Sequence, residues 1–316
     1  MPADGGEQAA SRVERVLALR AFPGLAEVEP THLGMLADVV RERTIAKGQT
    51  VLSPNTEVRA MYLIRSGELS VMRNGAVARR YRTGGIVGGI ASLTRDPRGQ
   101  HLVATADSRT FELDRDDFAD VLEESFSLLQ AVLRGLLQSA LEVRLGIAKD
   151  AGFAGEVIEA LRPSLELGLV ERVMFVRSLA TYGRARVEAL AELAREMSVV
   201  RATKGTELYA IGDPAPYSLL LYSGVVACEA KNGQRFRLGA DSVVGGMDSM
   251  AGERRWYRAE AETDVIALRS DTSHLMDVIE DNPDMGIDML RSAARILAEL
   301  YERVDRANES RPPPPE

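Results

Sequence analysis

Val87-Gly88-Gly89-Ile90-Ala91-Ser92-Leu93-Thr94-Arg95-Asp96-Pro97-Arg98 returns later in the chain as Val244-Gly245-Gly246-Met247-Asp248-Ser249-Met250-Ala251-Gly252-Glu253-Arg254-Arg255. Adjacent glycines free the backbone to take φ > 0 and bring bare N–H groups close to a ligand. A helical turn starting at such a pair directs unpaired N–H groups and the positive end of its dipole outward, as a cradle for an anion. An arginine at fixed distance could then clamp a phosphate through its planar fork. For one copy alone, a glycine corner in a β-barrel with a surface arginine explains the same residues. The second copy at the same spacing makes the stretch a structural signature.

The repeat extends well beyond this stretch. Gly48 matches Gly205, Gly67 matches Gly224, Gly88 matches Gly245 and Arg98 matches Arg255, each pair 157 positions apart (205 − 48). Lys47 and Lys204, Ser66 and Ser223, Leu33 and Leu190, and Leu36 and Leu193 keep that offset, as do Val121-Leu122-Glu123 and Val278-Ile279-Glu280. One offset held over so long a stretch means two homologous domains.

A chain of 316 residues has room for two such domains, each with its own core. It is 45% hydrophobic and 27% charged, with only 5% aromatic residues, so its cores are built from Leu, Val, Ala and Met. The net charge of −8 argues against general attraction to nucleic acid or to an anionic membrane. Cys228 is the only cysteine, which excludes an intrachain disulfide and points to a reducing, cytoplasmic setting. The first residues, Met1 to Glu7, lack a basic region followed by an apolar core, so no secretory signal is expected. No run of 18 apolar residues occurs, so no membrane span is expected.

Each copy reads in the same order. Leu33, Leu36, Val39 and Val40 in one, and Val187, Leu190, Leu193 and Met197 in the other, recur at helical spacing. Short β-type runs follow, Met61 to Ile64 and Leu219 to Tyr222. Asn74-Gly75 and Asn232-Gly233 are hairpin signals, because a type I′ turn needs φ > 0 at both positions. Their offset of 158 (232 − 74) implies one residue gained between Gly224 and Gly233. More strand follows each glycine-rich stretch, and a helix closes each copy. The expected fold class is α+β, mainly β: two tandem β-rolls, jelly-roll-like, with flanking helices. Expected boundaries are a mobile N-terminus at 1–12, a first domain at 13–145, a helical linker at 146–170, a second domain at 171–305 and a proline-rich tail at 306–316. The joining stretch carries an apolar stripe at Leu129, Leu133, Leu136, Ala140 and Val143, with a break at Pro163. Leu290, Ala294, Leu297, Tyr301 and Val304 form a second stripe, which packs on its own domain or forms a dimer seam.

The whole pattern resembles the cyclic nucleotide-binding domain of catabolite activator proteins and protein kinase A regulatory subunits. The resemblance rests on Lys47-Gly48 and Lys204-Gly205, on Ile64-Arg65-Ser66-Gly67 and Leu221-Tyr222-Ser223-Gly224, and on the opening stretch, which is similar to the family's phosphate-binding cassette. It implies a cyclic nucleotide (cAMP or cGMP) or another anionic nucleotide, such as a cyclic dinucleotide, as ligand. It places Gly88, Gly89, Ile90, Ala91, Arg98, Gln100 and His101 in the first pocket, and Gly245, Gly246, Met247 and Arg255 in the second. Arg98 and Arg255 take the position of the arginine that pairs with the cyclic phosphate. Gly89 and Gly246 stand where the family has a glutamate that accepts hydrogen bonds from the ribose 2′-hydroxyl. Neither copy has that carboxylate. Gly99-Gln100-His101 and Trp256-Tyr257-Arg258 replace the small residues that follow the family's arginine, Arg254 replaces the proline, and Trp256 and Tyr257 would fill ligand space.

The three histidines, His32, His101 and His274, lack metal-ligand spacing. His32 and His274 read as surface residues at helix starts. Asp114-Arg115-Asp116-Asp117 reads as an acidic helix start favoured by the dipole. No Gly-x-Ser-x-Gly nucleophile motif, Walker loop or dinucleotide fingerprint is present, and the expectation is a non-enzymatic protein. Its expected class is a ligand-responsive or degenerate sensor acting through a separate protein partner or through self-association of the C-terminal helix. The rival is a ligand-independent interaction scaffold. A transcription regulator is disfavoured, because the residues after the second roll leave no room for a basic helix-turn-helix.

Overall fold

The computed structural model describes residues 4–22, 24–53, 56–73, 75–95, 101–147 and 167–309, in two compact units, Met1–Gly135 and Leu136–Glu316. The first unit opens with helices α1 (Asp4–Leu19) and α2 (Pro30–Val39). Strands β1 (Arg41–Ile45), β2 (Thr50–Leu52), β3 (Ala60–Ser66), β4 (Glu68–Arg73), β5 (Ala76–Arg82) and β6 (Ile86–Val87) follow, and then helix α3 (Gly89–Thr94). Strands β7 (His101–Ala104) and β8 (Ser108–Asp114) lead to helices α4 (Arg115–Glu124) and α5 (Phe126–Gly146). The division between the units falls within α5.

The second unit repeats this order: helices α6 (Leu169–Ser178) and α7 (Val187–Glu196), strands β9 (Ser198–Ala202), β10 (Glu207–Tyr209), β11 (Tyr217–Ser223), β12 (Val226–Ala230), β13 (Arg235–Leu238) and β14 (Val243–Val244), then helix α8 (Gly246–Ala251). Strands β15 (Tyr257–Ala261) and β16 (Val265–Asp271) and helices α9 (Thr272–Asp281) and α10 (Pro283–Glu309) close it.

Each unit is a roll of two four-stranded antiparallel sheets, ordered β1-β8-β3-β6 and β2-β7-β4-β5 in the first, β9-β16-β11-β14 and β10-β15-β12-β13 in the second. The registers agree to the residue except near the turn of the β4–β5 hairpin. Tyr62 faces Val87 as Leu219 faces Val244, and Ile45 faces Ser108 as Ala202 faces Val265. Both long strands carry a bulge at the same place, Ile64/Ser66 and Leu221/Ser223. The residue gained before Asn232-Gly233 is compensated at once. The first copy has a bulge between Val71 and Met72, and by Leu69–Tyr81 and Val226–Leu238 the pairing is again at the common offset.

The recurrent glycines have a backbone cause. Gly67 and Gly224 take φ of 93° and 92°, and a Cβ on either would lie 2.3 Å from the carbonyl oxygen of Asp107 or Asp264. Those same aspartates accept, through Oδ1, the N–H of Lys47 at 2.8 Å and of Lys204 at 2.9 Å. Lys47-Gly48 and Lys204-Gly205 are therefore turn motifs tied to a neighbouring loop. Ile64, Leu69, Val87 and Leu102 fill the first roll, and Leu221, Val226, Val244 and Ala259 stand at the matching places of the second. At 25 cal/mol per Å², such apolar burial is the main drive to close each roll.

Several expectations change. Helix α1 takes in residues 4–12, placed above in a mobile N-terminus; Ala9, Ala10, Glu14 and Arg15 are residues of good helix propensity. His32 is half-buried, not a surface residue, with its Nδ1 2.8 Å from the Ser125 hydroxyl. Leu290, Ala294 and Leu297 are 0–3% exposed, so that face of α10 is already covered within the chain and is not open as a dimer seam. Pro163 and the tail from 310 on lie outside the described residues. Asp114 caps α4 as the acidic start implies, accepting the N–H of Asp116 at 2.8 Å. Among the described residues no helix is long and apolar enough to cross a membrane, and no group of three or more His, Cys, Asp or Glu could hold a metal.

Candidate functional site

The two glycine-rich stretches fold alike. A two-residue strand ends at Gly88 (φ 82°) or Gly245 (φ 71°), and the next glycine begins a six-residue helix, α3 or α8. The left-handed turn explains the first glycine of each pair, since a side chain there is strained by about 1–2 kcal/mol. The second glycine has an ordinary backbone conformation. Among the described residues, only Ile86 Cγ2 lies near a Cβ on Gly89, at 3.7 Å. On Gly246 it would meet Val243 Cγ1 at 2.8 Å.

In the first cassette Gly88, Gly89 and Ile90 are half-buried, while Ala91 is 1% exposed and belongs to the core of the roll. His101 opens β7, half-buried, opposite Met72. Arg98 and Gln100 lie outside the described residues, and their assignment rests on the family resemblance.

The second cassette is complete and filled from within. Arg255 is 1% exposed. Its Nη1 donates to the Gly245 carbonyl at 3.0 Å and lies 3.3 Å from Oδ1 of Asp248. Its Nη2 donates to the Tyr217 carbonyl at 2.5 Å. The guanidinium carbon stands 4.2 Å and 4.8 Å from the ring centres of Tyr209 and Tyr217, at cation–π distance. A Cβ on Gly245 would fall 2.0 Å from Nη1, so the arginine occupies the space against the turn. Both side chains of the Arg255–Asp248 pair are 0% exposed. Burial pushes the Asp248 carboxyl above its ordinary range, and Arg255 pulls it part of the way back.

Aromatic residues close what remains. The Tyr257 hydroxyl accepts the N–H of Gly245 at 2.7 Å. Its ring centre lies 4.7 Å from Trp256 and 5.1 Å from Phe236, and burial drives its hydroxyl far above the ordinary range. Arg144, from the C-terminal half of α5, stands over Phe236 and Trp256 at 5.2 Å and 5.4 Å. Burial first, and Arg303 second, push its guanidinium down to about 9. Side-chain amides fasten α5 to the roll: Gln234 donates to the Ile147 carbonyl at 2.5 Å, Asn232 to Leu145 at 3.3 Å, and Gln138 to Ala251 at 3.3 Å. The amides of Asn232 and Gln234 thereby satisfy carbonyls that the end of a helix leaves unpaired.

Spacing alone identified Gly245 and Arg255 but missed Asp248, Tyr209 and Tyr217. A signal was available in the repeat. At the common offset, Asp248, Tyr209, Tyr217, Trp256 and Tyr257 replace Ala91, Leu52, Ala60, Gly99 and Gln100. Every one of these differences adds an aromatic ring or a carboxylate to the second copy.

Residues 42–125, most of the first roll, match the family described as cyclic nucleotide-binding domain. A cAMP-dependent protein kinase regulatory subunit from Aspergillus niger is 29% identical over 106 residues, which cover 33% of this chain and 26% of that protein. A potassium/sodium hyperpolarization-activated cyclic nucleotide-gated channel 3 from Homo sapiens is 32% identical over 103 residues, 33% of this chain and 13% of the channel. The match thus spans about a quarter or less of each relative's length. Among solved structures, the regulatory domain of Toxoplasma gondii PKA with cAMP aligns over 98% of this chain and 99% of that one, at 13% identity and a TM-score of 0.32. The first roll thus matches the cyclic nucleotide-binding domain family over residues 42–125, and its strand order and glycine corners are present again in the second unit.

Proposed function

We propose that this chain is a regulatory protein that senses one anionic nucleotide of the cyclic mononucleotide class at its first roll and passes the signal to a separate protein partner. The observation that carries this reading is an asymmetry. The family match falls on the first roll, while the second roll's arginine is spent on internal partners. In the first pocket Gly88 shapes the turn, Arg98 pairs with the phosphate, and Ile90, Gln100 and His101 border the ligand. The missing carboxylate at Gly89 weakens recognition of the ribose without removing the phosphate contacts. A charge-assisted hydrogen bond is worth roughly 1.5–3 kcal/mol, so its absence costs about one to two decades of affinity. Helix α4 follows β8 without a linker and is the natural element to carry a shift in the roll outward. The Aspergillus niger relative is a regulatory subunit, and by that likeness the output belongs to another chain.

Calorimetric titration of the full chain with cAMP, cGMP and cyclic dinucleotides tests this. The expected result is one ligand per chain, weakened by about 10–100-fold in Arg98→Ala. Binding that survives Arg98→Ala undiminished would overturn the assignment of the site. Silence towards all these ligands at millimolar concentration would leave the scaffold reading in its place.

A further inference from the structure

The second roll contains a guanidinium in the family's phosphate-binding position, fully buried and facing a carboxylate from the helix that would otherwise cradle the ligand. We propose that Asp248 is a built-in counter-anion, which replaces the phosphate of a ligand at Arg255 and holds the second cassette closed without any nucleotide. Three observations on different elements support it. The carboxylate is on α8 itself, one turn from Gly245, where the first copy has Ala91. Tyr209 and Tyr217, on two other strands, stand at cation–π distance from the guanidinium and have no aromatic counterpart in the first copy. Asp248 Oδ2 is buried without a hydrogen-bond partner, so the pair is held by position and not by a saturated network. A buried charge stripped of its partner is strongly unfavourable, and a tetrahedral oxyanion is the chemical class that can take the carboxylate's place. The second roll is thus a latent oxyanion site, masked by its own chain. The inference goes beyond the reading of the first roll and stands even if no nucleotide binds there.

Trp256 is the only tryptophan, beside Arg255 and 4.7 Å from the Tyr257 ring, so its emission reports on this cassette. Full-length wild type, Asp248→Ala, Asp248→Asn and Asp248→Ala/Arg255→Ala are titrated with inorganic phosphate and sulfate against chloride at equal ionic strength, following Trp256 emission and the thermal midpoint. Wild-type emission is expected to stay unmoved at millimolar anion. Asp248→Ala is expected to melt about 10 °C lower and to regain most of that loss in millimolar phosphate. The double variant, lacking the arginine, controls for the general stabilisation by such salts and is expected not to respond beyond it. Should Asp248→Ala not fold, Asp248→Asn, of the same shape without the charge, is expected to show the same anion response. The proposal is overturned if phosphate moves Trp256 emission in wild type, or if neither Asp248 variant responds to either anion. Cyclic nucleotide calorimetry on wild type reads the first roll alone, so the two proposals fail separately.

Discussion

Gly88 and Gly245 bend the chain through the same left-handed turn into helices of the same length, and beyond Gly245 the space is taken by the chain's own side chains. In the first roll α3 places Ala91 in the core, where the second roll has Asp248. Behind Gly245 stand Arg255 and Asp248, with Tyr209, Tyr217 and Tyr257 packed around them. One backbone therefore accepts, at the matching place of its short helix, either a small alanine or a carboxylate facing a buried guanidinium. The lesson is that the second roll closes around a buried guanidinium answered by the chain's own groups.

The largest test of that contrast is to add one methyl group to each turn. Gly245→Ala puts a Cβ 2.0 Å from Arg255 Nη1 and must dislodge the buried pair, with an expected loss of about 3–5 kcal/mol in the second unit. Gly88→Ala meets, among the described residues, the Ala60 carbonyl oxygen at 3.0 Å and Met61 Cα at 3.5 Å, and carries chiefly the cost of its backbone, about 1–2 kcal/mol. Denaturant unfolding read through Trp256 and through far-ultraviolet circular dichroism separates the two. Equal losses would show that the arginine does not fill the second turn.

A smaller effect tests the ligand side. Gly89→Glu supplies the carboxylate that the resemblance assigns to this place, and among the described residues only Ile86 Cγ2 lies near the new Cβ. Cyclic nucleotide affinity of the first roll should rise by about 10–100-fold, measured by calorimetry. Gly246→Glu should bring no second ligand and should destabilise, because its Cβ comes to 2.8 Å from Val243 Cγ1. A second bound nucleotide in Gly246→Glu would break the contrast.

The smallest effect is a difference in sign with pH. In the first roll, hydrogen bonds from Arg82 and Thr105 hold the Glu68 carboxyl below its ordinary range. Its contribution is present above the unfolded-state value and is lost as pH falls through the lowered folded value. Asp248, raised by burial and facing Arg255, Tyr209 and Tyr257, has the opposite slope: its folded form binds the proton more readily, so its contribution improves as pH falls through the raised value. Acid titration should therefore show wild type losing stability relative to Glu68→Gln as pH falls, and gaining stability relative to Asp248→Asn. Slopes of the same sign would contradict the environments described for these carboxyls.

Much of the architecture was legible in the sequence, because glycines that need φ > 0 cannot drift. Gly67 and Gly224 sit against a carbonyl, Gly88 and Gly245 at a left-handed turn, and their common offset exposes the repeat before any strand is drawn. Helix starts were legible too, as Asp114 shows by capping α4 with its own side chain. The reach of α1 was not, since its first residues carry no apolar periodicity. The plug in the second cassette was half legible. Trp256 and Tyr257 stood out as too large for a ligand pocket, but nothing in spacing brings Tyr209, Tyr217 and Asp248 to one guanidinium.

The amino-acid sequence by itself determined that this is a duplicated β-roll with an arginine nine positions beyond each glycine pair. Only the tertiary structure decided what the second of those arginines does. Its partners come from β10, β11, α8 and the turn before α8, and they meet only once the two sheets close. Backbone constraints are local and leave a mark at each residue, whereas the occupancy of a buried site is a property of side chains that are distant in sequence and adjacent only in the folded roll.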